Sequence, residues 1–242
     1  MKITHAILLA IALAATFAFF DYRQGQQEIA ALEEIAAPQW EAITNWPAIE
    51  TDDQITPDPN RVTTVIVLDD SGSMATEMSD AHRAVISAVQ SMDDSARVAV
   101  LGLNAGLILE PMFASDAKTL VNDLVTRVPA DGSTPLARAV SQAYGLLSEE
   151  AARQRSFGTY RIIVTTDGEA DDNEALKSSV AEVLANSPVE LTTIGIGLGN
   201  RHVLKLAGHT NYLPIGDISL LESILLQVNA EQTSFEQLTS FD

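Results

Sequence analysis

The stretch VTTVIVLDDSGSMA, Val62 to Ala75, decides how this chain is read. From Val62 to Leu68 it is an unbroken run of β-branched and aliphatic residues, the pattern of a strand buried on both faces in a parallel sheet. The run stops abruptly on two aspartates and two serines around Gly72. Three readings of that ending compete: a solvated turn capping the next helix, a phosphate-handling active site, and a cation site.

The pattern continues regularly downstream. Glu77 to Met92 is predicted helical, with Met78, Ala81, Val85, Ala88, Val89 and Met92 on one face. Arg97–Leu103 and Leu107–Phe113 read as strands joined by Asn104-Ala105-Gly106. That connection is short enough for a hairpin, so the second strand should run antiparallel at a sheet edge. Asp116–Arg127 is expected as a helix with Ser115 as its N-cap, and Pro135–Arg155 as a long helix with proline in its first turn. Tyr160–Thr166, Val189–Ile196 and Tyr212–Ile215 read as further strands; Asn173–Asn186, Arg201–Ala207 and Ile218–Val228 read as helices. The alternation predicts an α/β fold, a three-layer, Rossmann-like open sheet that is mostly parallel with one antiparallel edge strand.

Ahead of this region the chain changes character. Residues 1–23 run apolar from Ala6 to Phe20 apart from Thr16, and read as a signal-anchor or a signal peptide. A membrane span needs about 20 apolar residues, a length approached only by counting from Ile3. The small-residue triplet Ala12-Leu13-Ala14 comes early for cleavage, so an uncleaved anchor is the preferred reading. Lys2 then places the remainder on the non-cytoplasmic side, periplasmic or extracellular, or secreted if the segment is removed. Residues 24–60 read as a stalk: Ile29, Leu32 and Ile35 at helical spacing, then an extended linker carrying Pro38, Pro47, Pro57 and Pro59. Trp40 and Trp46 within it are expected to pack on the domain. The domain itself spans 61–230, and 231–242 form a tail.

Composition narrows the function classes. The 33 acidic residues against 14 basic ones leave a formal charge of −19, which repels nucleic acid, whose binding needs Lys and Arg on phosphates. The same charge favours cations and basic partners. Without cysteine there is no disulfide, thiolate zinc site or cysteine nucleophile.

In an open parallel sheet, functional groups gather beyond the carboxyl ends of the strands. Three segments there carry oxygen donors: Asp69-Asp70-Ser71-Gly72-Ser73, Asp131-Gly132-Ser133-Thr134-Pro135 and Thr165-Thr166-Asp167-Gly168-Glu169. A donor set free of histidine and thiol favours magnesium, manganese or calcium over zinc. The order D-x-S-x-S, G-x-T-P-L, T-D-G resembles the von Willebrand factor type A (vWA) domain, over roughly Arg61 to Val228, where those pieces form the metal-ion-dependent adhesion site (MIDAS). Here the matching motif is Gly132-Ser133-Thr134-Pro135-Leu136 for the second piece.

The resemblance implies five metal-site residues, Asp69, Ser71, Ser73, Thr134 and Asp167. It implies that the three hydroxyls touch the ion directly and the two carboxylates hold it mainly through water. Neutral inner ligands leave much of the cation's charge uncancelled, so a carboxylate from a protein partner can complete the shell. The implied function is a membrane-tethered, divalent-cation-dependent protein-binding module without catalysis, using Mg2+ or Mn2+/Ca2+. Asp70 is expected to point away as a solvated carboxylate, and Glu169, Asp171 and Asp172 to be solvated or to cap the next helix.

Other readings have weaker sequence support. A magnesium-dependent phosphohydrolase of the haloacid dehalogenase class would want a second acid where Ser71 stands, and no lysine is convincingly placed for it. A serine hydrolase on Ser71 or Ser73 lacks G-x-S-x-G and a placed histidine base. An assembly subunit of a chelatase-like or secretion-like complex would use the same fold. Gly195-Ile196-Gly197-Leu198-Gly199 has the wrong spacing for a dinucleotide fingerprint and reads as a tight turn. The histidines at 82, 202 and 209 receive no role.

Overall fold

The computed structural model describes residues 37–199, 202–205 and 210–230. The hydrophobic segment 1–23, the helical part of the stalk up to residue 36 and the tail lie outside the described residues. Among the described residues no helix is long and apolar enough to cross a membrane.

Six strands form one sheet: β1 Val62–Leu68, β2 Arg97–Gly102, β3 Gly106–Phe113, β4 Thr159–Thr166, β5 Glu190–Ile196 and β6 Asn211–Ile215. Their order is β3-β2-β1-β4-β5-β6. All neighbours pair parallel except β2 with β3, the hairpin expected from its short turn, which sits at the edge. Strand β1 is central and six of its seven residues are buried, as its uninterrupted apolar run requires. Its side chains alternate between the two cores. Ile66 and Leu68 face one side with α2 (Met78–Ser91), α3 (Ala114–Val125) and α6 (Leu221–Ala230). Val65 and Val67 face the other with α4 (Leu136–Arg153) and α5 (Asn173–Asn186). Met78, Ala81, Val85, Ala88, Val89 and Met92 are all buried in the first core, so that stripe is packing and not chemistry.

Several helix starts differ from expectation, and for α3 tertiary partners replace the local signal. Helix α3 begins at Ala114, with Phe113 and not Ser115 at the N-cap position. Its first amides donate to carbonyls of the turn before β2, Ala114 N to Ala96 O at 2.8 Å and Ser115 N to Asp94 O at 3.4 Å, so no side-chain cap is needed. Pro135 occupies the N-cap of α4 and not its first turn. Before α2 the chain makes a 3-10 turn over Gly72–Thr76, and before α6 another over Ile218–Leu220, capped by Asp217 through Ser219 N at 2.8 Å. Of the helix expected over Arg201–Ala207, only 202–205 are described, and they form a turn.

The proline-rich segment lies against the domain. It contains a short helix, α1 (Trp40–Thr44). Trp46 is buried, edge-on to Tyr160 with centroids 5.0 Å apart and stacked on Tyr144 at 6.4 Å. Trp40, by contrast, stays 73% exposed. Backbone bonds fasten the segment at both ends: Gln39 N donates to Ala185 O at 2.8 Å and Ile55 N to Arg153 O at 3.0 Å. These contacts lie at the helix layer and lower sheet edge, away from the loops that follow β1 and β4.

Candidate functional site

Parallel pairing of β1 with β4 sets their carboxyl ends side by side, with Val67 opposite Val164. Asp69 and Asp167, each at the end of its strand, therefore meet. Asp69 is fully buried. Its carboxylate accepts from Ser71 N at 2.9 Å through one oxygen and from Asp167 N at 3.3 Å through the other. Its own amide donates to Thr165 Oγ1 at 3.2 Å, and that hydroxyl donates to Val67 O at 3.1 Å. One buried carboxylate thus fixes both loops.

The hydroxyls complete the convergence. Ser73 Oγ donates to Asp167 Oδ1 at 2.8 Å and lies 3.0 Å from Ser71 Oγ. Because Ser73 spends its single proton on the carboxylate, Ser71 is the donor between the serines. Thr134 Oγ1 has no hydrogen-bond partner among the described residues; it faces Gly168, where a Cβ would stand 3.6 Å away. The structure therefore brings Asp69, Ser71, Ser73 and Asp167 into one hydrogen-bonded group, with Thr134 beside it.

The electrostatics are unbalanced. No Lys or Arg among the described residues forms an ion pair with Asp69 or Asp167. Burial, and after it the neighbouring Asp69 charge, raise the Asp167 pKa above the usual carboxylate value against the lowering effect of the hydrogen bond from Ser73. Among the described residues no three His, Cys, Asp or Glu side chains are placed to hold a metal ion. Any ion here would draw on hydroxyls as well as carboxylates, an oxygen set suited to hard divalent cations.

Asp70 contradicts the expectation of a solvated side chain. It is 1% exposed and turns under the β2–β3 hairpin. Its carboxylate accepts from Asn104 N and Ala105 N, both at 2.8 Å, while its carbonyl accepts from Asp131 N at 2.8 Å. Gly102 makes room, since a Cβ there would come within 2.7 Å of Asp70 Oδ2. Local sequence could not reveal this, because the hairpin turn supplying the donors is more than thirty residues away.

Asp172 caps α5 as expected, accepting from Ala175 N at 2.9 Å. Asp171 instead reaches the second loop, where Ser133 Oγ and Thr134 N donate to it and lower its pKa. His202, given no role from sequence, adjoins the third loop. Its Nδ1 accepts from Leu204 N at 3.1 Å, so Nε2 carries the proton and donates to Gly168 O at 3.3 Å. Burial lowers its pKa, and its ring stacks on Tyr212. His82 lies on α2, and His209 lies outside the described residues.

The sheet order and the loop group together define an open α/β domain with an oxygen-lined site at the carboxyl edge. The sequence matches the von Willebrand factor type A domain over residues 64–224, more than half its length, and the chain belongs to that family. No curated protein matches it. Among solved structures it is similar to a von Willebrand factor type A protein from Catenulispora acidiphila, with TM-score 0.59, 21% identity, and 72% of this chain and 42% of that one covered. It is similar to the pilus adhesin SpaC of Lactobacillus rhamnosus GG, with TM-score 0.62, 14% identity, and 74% and 31% covered. It also resembles the manganese-loaded TRAP protein of Plasmodium vivax, with TM-score 0.52, 17% identity, and 69% and 72% covered. The chain spans less than half the length of the first two, and at these identities the likeness is one of fold.

Proposed function

We propose that this domain binds a protein partner through a divalent cation held at a metal-ion-dependent adhesion site by Asp69, Ser71, Ser73, Thr134 and Asp167. The observation that carries the reading is the meeting of Asp69 and Asp167 with the serine hydroxyls, two carboxylates from separate loops with no protein cation between them. A cation is the missing counter-charge. When bound, Mg2+ (or Mn2+/Ca2+) would supply positive charge to which a partner's carboxylate can bind. The protein's part is to orient. Asp69 holds the first and third loops together, Ser73 faces Asp167, and Thr134 keeps an uncommitted hydroxyl. The manganese in a structurally similar protein and the adhesin identity of another support this choice of chemistry.

The test is a thermal melt with and without millimolar MgCl2 or MnCl2. A ligand bound only by the native state adds about 2.7 kcal/mol at a hundredfold excess over its Kd, so wild type should melt higher with metal. Asp69→Ala and Thr134→Ala should fold yet lose the increase. A wild-type midpoint indifferent to metal would overturn the proposal. Capture of a partner should need metal and fail for Asp167→Ala.

We also propose that residues 1–23 tether the domain to a membrane with its site on the non-cytoplasmic side, on the strength of the apolar run and Lys2. Recovery of the intact N-terminus in the membrane fraction is the expected result; a soluble protein would refute tethering.

A further inference from the structure

The loop bearing Thr134 has little packing to hold it. Asp131, Gly132 and Ser133 are exposed and Thr134 is half-buried. Its position therefore depends on hydrogen-bond tethers. From the side of the first loop come Gly72 N to Gly132 O at 3.1 Å and Asp131 N to Asp70 O at 2.8 Å. From the β2–β3 turn, Asn104 Nδ2 donates to Ser133 O at 2.8 Å. Gly132 sits at φ +81°, and a Cβ there would meet Asn104 Oδ1 at 2.6 Å, so the glycine lets that tether close.

The opposite side of the loop is held by Asp171. Its carboxylate accepts from Ser133 Oγ at 2.5 Å and from Thr134 N at 3.0 Å, while its own amide donates to Thr134 O at 3.1 Å. Asp171 thus grips both backbone ends of Thr134 and the preceding side chain, leaving the threonine hydroxyl unengaged. It lies four positions beyond Asp167, outside the five residues of the proposed site.

We propose that Asp171 is a positioning residue that fixes Thr134 for the ion, with Asn104 as its counter-tether; this rests on the metal reading above. Asp171 need not touch the ion. Partners that orient metal ligands typically change affinity about 10- to 100-fold when removed, and Asp171→Ala should do so here.

The full-length protein is titrated with Mn2+, following loss of the free-ion electron paramagnetic resonance signal, with folding checked by circular dichroism in EDTA. Asp171→Ala should bind Mn2+ at least about tenfold more weakly than wild type with an unchanged fold. Asp171→Asn keeps an oxygen for Thr134 N, can donate its NH2 to Ser133 Oγ in place of accepting from it, and removes the charge, so its affinity should stay within about threefold of wild type. Wild-type affinity in Asp171→Ala, while Asp69→Ala fails to bind, would overturn the positioning role alone. An Asp171→Asn variant as weak as Asp171→Ala would overturn it too, since charge and not position would then be the cause. No Mn2+ binding by wild type would sink this proposal together with the metal reading. If Asp171→Ala does not fold, Ser133→Ala decides: it deletes only the Ser133 Oγ tether, should weaken Mn2+ severalfold, and overturns the assignment if it does not.

Discussion

Replacing Glu150 by alanine is expected to destabilise the domain by about 3–5 kcal/mol, the usual cost of stripping one partner from a buried ion pair. Glu150 on α4 and Arg97 on β2 are 3% and 4% exposed, and their side chains are paired directly. Arg97 also donates to Pro111 O at 3.0 Å and lies 4.9 Å from the Phe113 ring centroid. Arg153 reaches the other Glu150 oxygen at 3.4 Å. Removing the carboxylate leaves Arg97 buried with a carbonyl and an aromatic face but no counter-charge. Replacing both residues with apolar ones of similar size should recover most of the loss, because it also removes the need to desolvate two charges. Urea denaturation of the single and double variants is the measurement. A single variant within about 1 kcal/mol of wild type would show that water or Arg movement relieves the buried charge.

Asp70→Ala should have the second-largest effect. Its carboxylate holds the amides of Asn104 and Ala105, and charge-assisted bonds of this kind contribute about 1.5–3 kcal/mol each. Because Asn104 and Ala105 are exposed, water can replace part of that, giving an expected net loss of about 2–4 kcal/mol. The consequence should extend to the site. Without Asp70 the β2–β3 turn loosens, and with it the Asn104 tether to Ser133. Metal stabilisation should therefore shrink in this variant even after its lower baseline midpoint is taken into account. Asp70→Asn should fall between, since an amide presents only one acceptor oxygen where two amides donate. Full metal stabilisation in Asp70→Ala would show that the hairpin and the site are uncoupled.

The wider arrangement separates two ends of the sheet. At the carboxyl edge, short polar loops depend on one another and carry the proposed chemistry. At the opposite edge and the adjoining helices, Arg61 and Arg97 lie against Phe113, and the proline-rich segment is fastened to α4 and α5. The segment from residue 37 to 60 thus stands apart from the loops that carry the proposed site.

The sequence determined the strands, their hairpin and which oxygen-bearing side chains the loops carry. Those signals are local: the apolar run from Val62 to Leu68 can satisfy itself only by burial on both faces, and a three-residue connection before Leu107 can only reverse the chain. The motif order Asp69–Ser71–Ser73, Thr134, Asp167 was equally legible, as residue types after strands β1 and β4 and before α4. Tertiary structure alone decided which carboxylates face the loops and which support them. Asp70 looks like a solvated acid when only neighbouring residues are read, yet it is buried, and Asp171, though exposed as expected, is bonded as well; their donors arrive from Asn104, Ala105, Ser133 and Thr134, across long stretches of chain. The same holds for α3, whose first amides find carbonyls before β2 in place of a Ser115 cap. A hydrogen bond is set by where partners stand in space, and no local pattern encodes a partner that only folding brings near.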